Sequence, residues 1–120
     1  VYADKYDIER VVLNILTNSI KYTPNGGEIK IYVGFVYNDA YIKIFDNGIG
    51  IPSKDISRVF NKSFTGENGR LREKSTGMGL YIAKKLCDKL GHKITIESKL
   101  GEYTKVTIIF SKNDFYKIKN

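Results

Sequence analysis

The sequence predicts one α+β domain. Two stretches carry apolar residues at helical spacing, and four shorter stretches alternate apolar and polar residues as strands do. The helical stretches cover residues 5–22 and the run from Gly77-Met78-Gly79 to Gly91, and the strand-like stretches cover residues 28–37, 40–46, 93–99 and 104–110. A chain of 120 residues can build one core but not two ordinary domains.

The first helical stretch combines an apolar stripe with a polar row along its flank. The stripe consists of Ile8, Val11, Val12, Ile15, Leu16 and Ile20. Asn14, Asn18 and Lys21 are spaced four and three apart, so they line up at the edge of whatever the helix covers, and Tyr22 falls closer to the stripe. Asparagine is a poor helix former, so two of them in one row at a core boundary require an explanation.

The second strand-like stretch ends in a carboxylate that points at the core. A period of two places Asp46 on the same face as Ile42 and Ile44. An unpaired buried carboxylate costs several kcal/mol, so a partner is expected from the protein or from a ligand. The following Asn47-Gly48 and Gly50 allow close approach of a ligand to the backbone. By itself, this segment is more typical of an ordinary strand-ending turn than of a binding site.

The strand-like stretches also predict a hairpin and a second polar side chain that points inward. Asn38-Asp39 offers a tight turn between the first two strands, which we expect to form an antiparallel hairpin. In the last strand Thr104 shares a face with Val106 and Ile108, so its hydroxyl also points inward and could serve the Asp46 site.

A long polar segment separates the two halves of the chain. Pro52-Ser53 begins a short helical piece that ends near Phe60, and Phe64 follows. Residues 65–76 are polar and charged without periodicity. A loop of this length inside a compact domain is typical of a functional lid or a linker.

Composition excludes several classes of protein. Cys87 is the only cysteine, so an internal disulfide is excluded, and its position on the apolar stripe of the second helix predicts a buried small hydrophobe. No apolar run reaches the roughly 18 to 20 residues that span a bilayer. The net charge of +7 suits an anionic partner without identifying one. The start at Val1 suggests a piece of a longer protein.

Four segments, in this order, resemble the N, G1, F and G2 boxes of sensor histidine kinases: Asn14-x-x-x-Asn18-x-x-Lys21-Tyr22, Asp46-Asn47-Gly48-Ile49-Gly50, Phe60 with Phe64, and Thr76-Gly77-Met78-Gly79-Leu80. The resemblance covers residues 1–111 and leaves residues 112–120 as a C-terminal tail. It implies the GHKL, or Bergerat, ATP-binding fold shared with DNA gyrase, Hsp90 and MutL. This fold is a two-layer α/β sandwich, a mixed sheet with helices on one face and a mobile ATP lid.

The resemblance also implies roles for individual residues. Asp46 would accept a hydrogen bond from the adenine amino group, with Thr104 backing the contact through water. Asn18 and Asn14 would reach the Mg²⁺ that bridges the phosphates, because hard cations accept amide oxygens. Lys21 would bind phosphate oxygens, and Tyr22 would pack on the base or ribose. The remaining residues that it places at the ATP site are Gly48, Gly50, Ile51, Thr76, Gly77, Met78, Gly79 and Leu80.

Some residues keep two interpretations. Arg70, Arg72 and Lys74 are candidates to bind the γ-phosphate from the lid, or they form a solvated charge run. Phe60 and Phe64 are core anchors that, by the resemblance, also dock on the helical domain that bears the phosphoacceptor histidine. Lys21 could equally be a helix-end cation and Tyr22 a core aromatic.

The expected reaction is phosphoryl transfer to a histidine outside this chain. Hydrolysing relatives carry a glutamate where this chain has Asn14, and an amide cannot take a proton at neutral pH. His92 is the only histidine, and its surroundings do not resemble a phosphoacceptor motif. The acceptor would therefore lie on a helical phosphoacceptor and dimerisation domain of the same kinase, which would serve a response regulator.

A second resemblance concerns the parent protein. Residues 64–70 and 75–81 look like kinases of Gram-positive bacteria that sense peptide antibiotics alongside an ABC transporter. That resemblance implies a membrane-anchored parent with this domain in the cytoplasm. The alternatives are a GHKL-fold ATPase or an anti-sigma-factor-type serine protein kinase, and a basic nucleic-acid-binding module. Nucleic acid is not expected as a partner, because the Tyr and Lys residues are scattered through every element.

Overall fold

The computed structural model describes residues 5–61 and 79–110. In chain order these residues form helix α1 (Lys5–Tyr22), strands β1 (Ile29–Val36) and β2 (Asp39–Asp46), a 3-10 segment (Ser53–Arg58), helix α2 (Gly79–Leu90), and strands β3 (Lys93–Lys99) and β4 (Tyr103–Phe110). The predicted α+β class and its elements are confirmed. The predicted roles of Phe64, Arg70, Arg72, Lys74, Thr76, Gly77 and Met78, and the tail at 112–120, lie outside the described residues.

The four strands form one sheet in the order β1-β2-β4-β3. All three neighbouring pairs among the described strands are antiparallel, whereas a mixed sheet was expected. The reason is that two hairpins, β1-β2 and β3-β4, meet through their second strands. The first hairpin turns on Tyr37 and Asn38, which both have positive φ, one residue earlier than expected. Two such residues match the right-handed twist of the strands.

Both helices cover the same, inner face of the sheet. They run antiparallel, because Asp7 near the start of α1 contacts Lys89 near the end of α2, with 3.3 Å between Oδ2 and Nζ. A Cβ on Gly79, the first residue of α2, would lie 3.3 Å from the carbonyl oxygen of Asn14. The core between the helices and the sheet consists of Val11, Ile15, Ile44, Val59, Leu80, Ala83, Leu86, Cys87, Ile94, Val106 and Ile108.

One side of α1 and the inner face of β1 remain uncovered within the described ranges. The prediction that Ile20 belongs to the buried stripe is wrong, since its exposed fraction is 65%. It lies beyond Leu16 on the side of α1 that faces away from α2, and Ser19 is buried instead. Val33 and Phe35 of the edge strand β1 are also exposed, because neither described helix covers their side chains.

Both helices are amphipathic, with one apolar side against the sheet and one polar side facing outward. Across residues 5–61 and 79–110, neither helix is long and apolar enough to cross a membrane.

Candidate nucleotide site

A row of three polar side chains crosses the inner face of the sheet. Asp46 of β2 pairs in register with Thr104 of β4, which pairs in turn with Ser98 of β3. Residues directly opposite each other share a face, with Cβ atoms about 5 Å apart. Asp46 and Thr104 are 3% and 7% exposed, so the predicted inward orientation of both side chains is confirmed.

The Asp46 carboxylate is held from two sides. The Gly48 N–H donates to Asp46 Oδ1 over 3.0 Å, and the Ser19 side chain of α1 also hydrogen-bonds the carboxylate. Burial nevertheless raises the pKa of Asp46, because the two hydrogen bonds only partly oppose the desolvation of the charge. A further donor from a ligand would therefore stabilise the ionised form.

Ser19 was not predicted as a site residue. It follows Val11 and Ile15 at a spacing of four, so it continues a buried row of α1, and it is 2% exposed. A serine in such a row calls for a hydrogen-bond partner, and this was the available signal. The contact ties the C-terminal turn of α1 to the end of β2.

The loop after Asp46 fits between α1 and the β3-β4 turn through backbone contacts. A Cβ on Gly48 would lie 2.3 Å from the carbonyl oxygen of Tyr22, and one on Gly50 would lie 2.2 Å from that of Lys99. The Ile49 N–H donates to Tyr22 O over 3.1 Å. Gly48 and Gly50 are thus required for close packing of the loop.

Ser98 joins this loop to Thr104. Ser98 Oγ accepts from the Ile51 N–H over 2.8 Å, donates to the carbonyl oxygen of Tyr103 over 2.6 Å, and lies 2.8 Å from Thr104 Oγ1. Ser98 was also missed by the sequence analysis. The signal was its period-two position after Ile94 and Ile96, which places a hydroxyl on the inner face.

The polar row of α1 lies beside the start of α2. Asn14, Asn18, Lys21 and Tyr22 are all partly buried. The Lys21 Nζ lies 4.7 Å from the centre of the Tyr22 ring, within the range of a cation–π contact. Gly79, the first residue of α2, contacts α1 at Asn14, and the two helices are antiparallel. Asn18, Lys21 and Tyr22 therefore lie past the N-terminal end of α2. Asn18 is adjacent to Ser19, which places the row within one helical turn of the Asp46 site.

The remaining predicted site residues within the described part of the chain are Gly79, Leu80 and Ile51. Gly79 is the first residue of α2, and Leu80 is buried in the core. Ile51 packs against the core and donates its N–H to Ser98. Phe60 also packs against the core, in agreement with its predicted role as an anchor.

The donor chemistry of the site suits a hard cation that is bound together with a substrate. Within the described part of the chain, no group of three His, Cys, Asp or Glu residues is arranged to hold a metal ion. The amide oxygens of Asn14 and Asn18 are the donors on the polar row, and such oxygens are ligands that Mg²⁺ accepts. Substrate phosphates usually complete its coordination.

Cys87 and His92 are both buried. Cys87 is a core residue as predicted, and burial raises the pKa of its thiol to about 11. His92 is 6% exposed, and its backbone N–H donates to the carbonyl oxygen of Cys87 over 2.8 Å. Its ring meets that of Phe110 edge to face, with centroids 5.0 Å apart.

The outer face of the sheet gathers aromatic and basic residues, contrary to the expectation that they are scattered. The register places these residues on it: Lys30, Tyr32, Tyr41, Lys43, Phe45, Lys93, Lys99, Tyr103 and Lys105. The Phe45 and Tyr103 rings stack with centroids 5.9 Å apart. The Tyr103 hydroxyl donates to Glu97, which lowers the pKa of Glu97 and raises that of Tyr103.

Two antiparallel helices over one face of a sheet, with a buried carboxylate at the start of a glycine-rich loop, match the expected ATP-binding domain of the GHKL type. The family model described as histidine kinase-, DNA gyrase B- and HSP90-like ATPase matches residues 3–114. The chain belongs to this family, and within it to the catalytic domains of bacterial sensor histidine kinases.

Individual relatives agree with this assignment. The chain is 37% identical over 111 residues to the sensor histidine kinase YxdK of Bacillus subtilis, covering 92% of this chain and 34% of YxdK. It is 35% identical over 112 residues to the sensor protein kinase GraS of Staphylococcus aureus, covering 92% of this chain and 32% of GraS. The chain thus spans about a third of the length of these relatives.

Solved structures show the same fold. The mycobacterial sensor histidine kinase MprB superimposes with a TM-score of 0.80 at 28% identity, covering 89% of this chain and 73% of that one. The catalytic domain of the histidine kinase ThkA gives a TM-score of 0.73 at 26% identity. The match covers 88% of this chain and 67% of the ThkA chain.

Proposed function

We propose that the chain binds Mg-ATP and donates the γ-phosphate to a histidine on a separate domain of a sensor histidine kinase. The observation that carries this proposal is the buried Asp46 carboxylate, which faces Thr104 and retains a raised pKa despite two hydrogen bonds. Such a group gains from a further donor, and the exocyclic amino group of adenine is one. Guanine carries an acceptor at the same position, so Asp46 would favour adenine over guanine bound in the same orientation.

The phosphates would lie along the polar row of α1 and the start of α2. Asn14 and Asn18 would hold Mg²⁺, which neutralises charge on the phosphates when bound, and Lys21 would contact phosphate oxygens as a point charge. Gly79 begins α2, and unpaired N–H groups at a helix N-terminus favour anions. By the resemblance, Thr76, Gly77 and Met78 would also contact the nucleotide.

The site is suited to transfer rather than to rapid hydrolysis. Asn14 cannot act as a general base, because an amide takes no proton at neutral pH. The chain would therefore contribute positioning and charge neutralisation. The nearest alternatives are a GHKL-fold ATPase and a serine protein kinase of the anti-sigma-factor type. Slow phosphate release from bound ATP would count against the ATPase, and transfer of the γ-phosphate to a histidine and not to a serine would count against the serine kinase.

The acceptor would be a histidine on the helical phosphoacceptor and dimerisation domain of the parent kinase. His92 is a poor acceptor because it is buried against Phe110. A response regulator would receive the phosphoryl group. By the resemblance, the parent is anchored in a membrane, holds this domain in the cytoplasm, and works with an ABC transporter.

The binding proposal is tested by calorimetric titration of Mg-ATP into the purified chain and two variants. Asp46→Asn removes the charge and should weaken binding about tenfold to a hundredfold, the value of a hydrogen bond to a charged group. Asp88→Asn makes the same change at an exposed position near the end of α2 and should leave the Kd unchanged. Equal affinity of all three proteins would contradict the proposal.

The transfer proposal is tested with radiolabelled ATP and magnesium. The chain alone should release phosphate slowly and acquire no label. A stable phosphohistidine on this chain that disappears in His92→Ala would overturn the assignment of the acceptor to another domain.

The outer sheet face favours nucleic-acid binding as a second candidate function. Four aromatic and five lysine side chains there could stack bases and contact phosphates. Titration with a fluorescent single-stranded oligonucleotide decides the question: salt-dependent binding that Tyr103→Ala and Lys43→Ala weaken would support it.

A further inference from the structure

Ser98 controls which hydrogen bonds Thr104 can make, and this follows from counting protons. The carbonyl oxygen of Tyr103 can only accept, so the contact of 2.6 Å uses the single proton of Ser98. The Ile51 N–H can only donate, so its contact of 2.8 Å uses one lone pair of Ser98. The contact of 2.8 Å between the two hydroxyl oxygens then requires the proton of Thr104.

The Thr104 hydroxyl is therefore committed as a donor to Ser98 and keeps only lone pairs for other partners. Thr104 lies directly opposite Asp46 on the inner face. An ionised carboxylate is also only an acceptor. Asp46 and Thr104 together thus present a surface that accepts hydrogen bonds and offers none.

We propose that Ser98 is a specificity-determining positioning residue, which holds Thr104 as an acceptor and thereby excludes purines with a keto group at position 6. The inference rests on the proposed function. A hypoxanthine or guanine base has an acceptor at position 6 and a donor at N1. Asp46 could accept from N1, so these bases would fit if Thr104 could turn its proton toward the keto oxygen. The contact with Ser98 removes that option.

The test compares the affinities of ATP and ITP, which differ only at positions 1 and 6 of the base. Mg-ATP and Mg-ITP are titrated into the wild type, Ser98→Ala, Ser98→Thr and Thr104→Val. In Ser98→Ala the Thr104 hydroxyl is free to rotate, so the preference for ATP should fall about threefold to tenfold, the value of one neutral hydrogen bond. Ser98→Thr keeps the hydroxyl and should retain the wild-type preference.

A purely structural role of Ser98 would give a different result. Loss of loop support would weaken both nucleotides equally and leave their ratio unchanged, and this result would overturn the inference. Thermal unfolding of each variant separates stability from selectivity.

Thr104→Val tests independently whether Thr104 acts as an acceptor or as a donor toward the base. This test does not depend on whether Ser98→Ala folds. Removal of an acceptor should lower the preference for ATP, whereas removal of a donor to the base would raise it and contradict the inference. In a protein that already carries Thr104→Val, adding Ser98→Ala should not change the ratio of the ATP and ITP affinities further.

The outcomes distinguish the two proposals. If the wild type binds ATP and rejects ITP but the variants keep that ratio, the role of Ser98 is wrong and the proposed function stands. If the wild type binds neither nucleotide, both proposals are wrong.

Discussion

Asp46 of β2 and Thr104 of β4 lie directly opposite each other, and both side chains are buried on the face that the helices cover. The Asp46 site therefore lies in the same layer as the core. Substitutions there are expected to affect stability and binding together, and experiments must separate the two.

The buried charge of Asp46 predicts a pH-dependent effect of Asp46→Asn on stability. The pKa of Asp46 in the folded state lies above 3.8, so its contribution to stability is present in acid and is lost as pH rises through the folded pKa. Asparagine does not titrate. The stability of the variant relative to wild type, measured by urea unfolding without nucleotide, should therefore increase from pH 3 to pH 7. If the stability of the variant relative to wild type instead fell from pH 3 to pH 7, the raised pKa of Asp46 would be contradicted.

Ser19→Ala should weaken the site without removing its charge. The variant removes one of two hydrogen bonds to a buried carboxylate, which costs about 1–3 kcal/mol of stability. It should also raise the pKa of Asp46 further and reduce ATP affinity. Ser57→Ala changes an exposed serine and is the matched control. Equal urea midpoints for the two variants would show that the Ser19 contact is unimportant.

Gly48→Ala should destabilise the fold by about 3 kcal/mol or more, because the new Cβ would lie 2.3 Å from the backbone oxygen of Tyr22. Gly101→Ala is the comparison, since a Cβ there meets nothing within 4 Å and the cost is limited to its positive φ. That cost is about 1 kcal/mol. Thermal unfolding of both variants tests the difference, and similar losses would show that the loop can move away from α1.

Cys87 should resist alkylation in the folded protein. The pKa of its thiol is raised to about 11, and the side chain is 1% exposed, so little thiolate is present or accessible at pH 8. Stability from this group is lost as pH rises from about 9 to 11. Iodoacetamide labelling followed by mass spectrometry should be slow in buffer and fast in urea. Rapid labelling of the native chain would contradict its burial.

Periodicity was sufficient to predict the helices, the strands and the inward orientation of Asp46 and Thr104. These features depend on local spacing, and every strand alternates in the way that the pleat requires. The turn at Tyr37 and Asn38 was predicted one residue late, because Asn38-Asp39 and Tyr37-Asn38 are both compatible with a tight turn, and only the strand register decides between them.

Features that depend on tertiary placement were not predictable. Ile20 continues the apolar stripe of α1 in sequence, yet the helix turns it away from the core. Ser19 and Ser98 acquire their roles only through partners 27 and 6 residues away, at Asp46 and Thr104. Aromatic and basic residues scattered along the strands became one surface only when the order β1-β2-β4-β3 was known.

Recognition of the 6-amino group of adenine by Asp46 is measured with two nucleotides and two forms of the protein. ATP and purine riboside triphosphate, which lacks the 6-amino group, are titrated with magnesium into the wild type and Asp46→Asn. The wild type should lose about tenfold to a hundredfold in affinity without the amino group, and the variant should lose clearly less. Equal affinity of the wild type for both nucleotides would contradict recognition of adenine by Asp46.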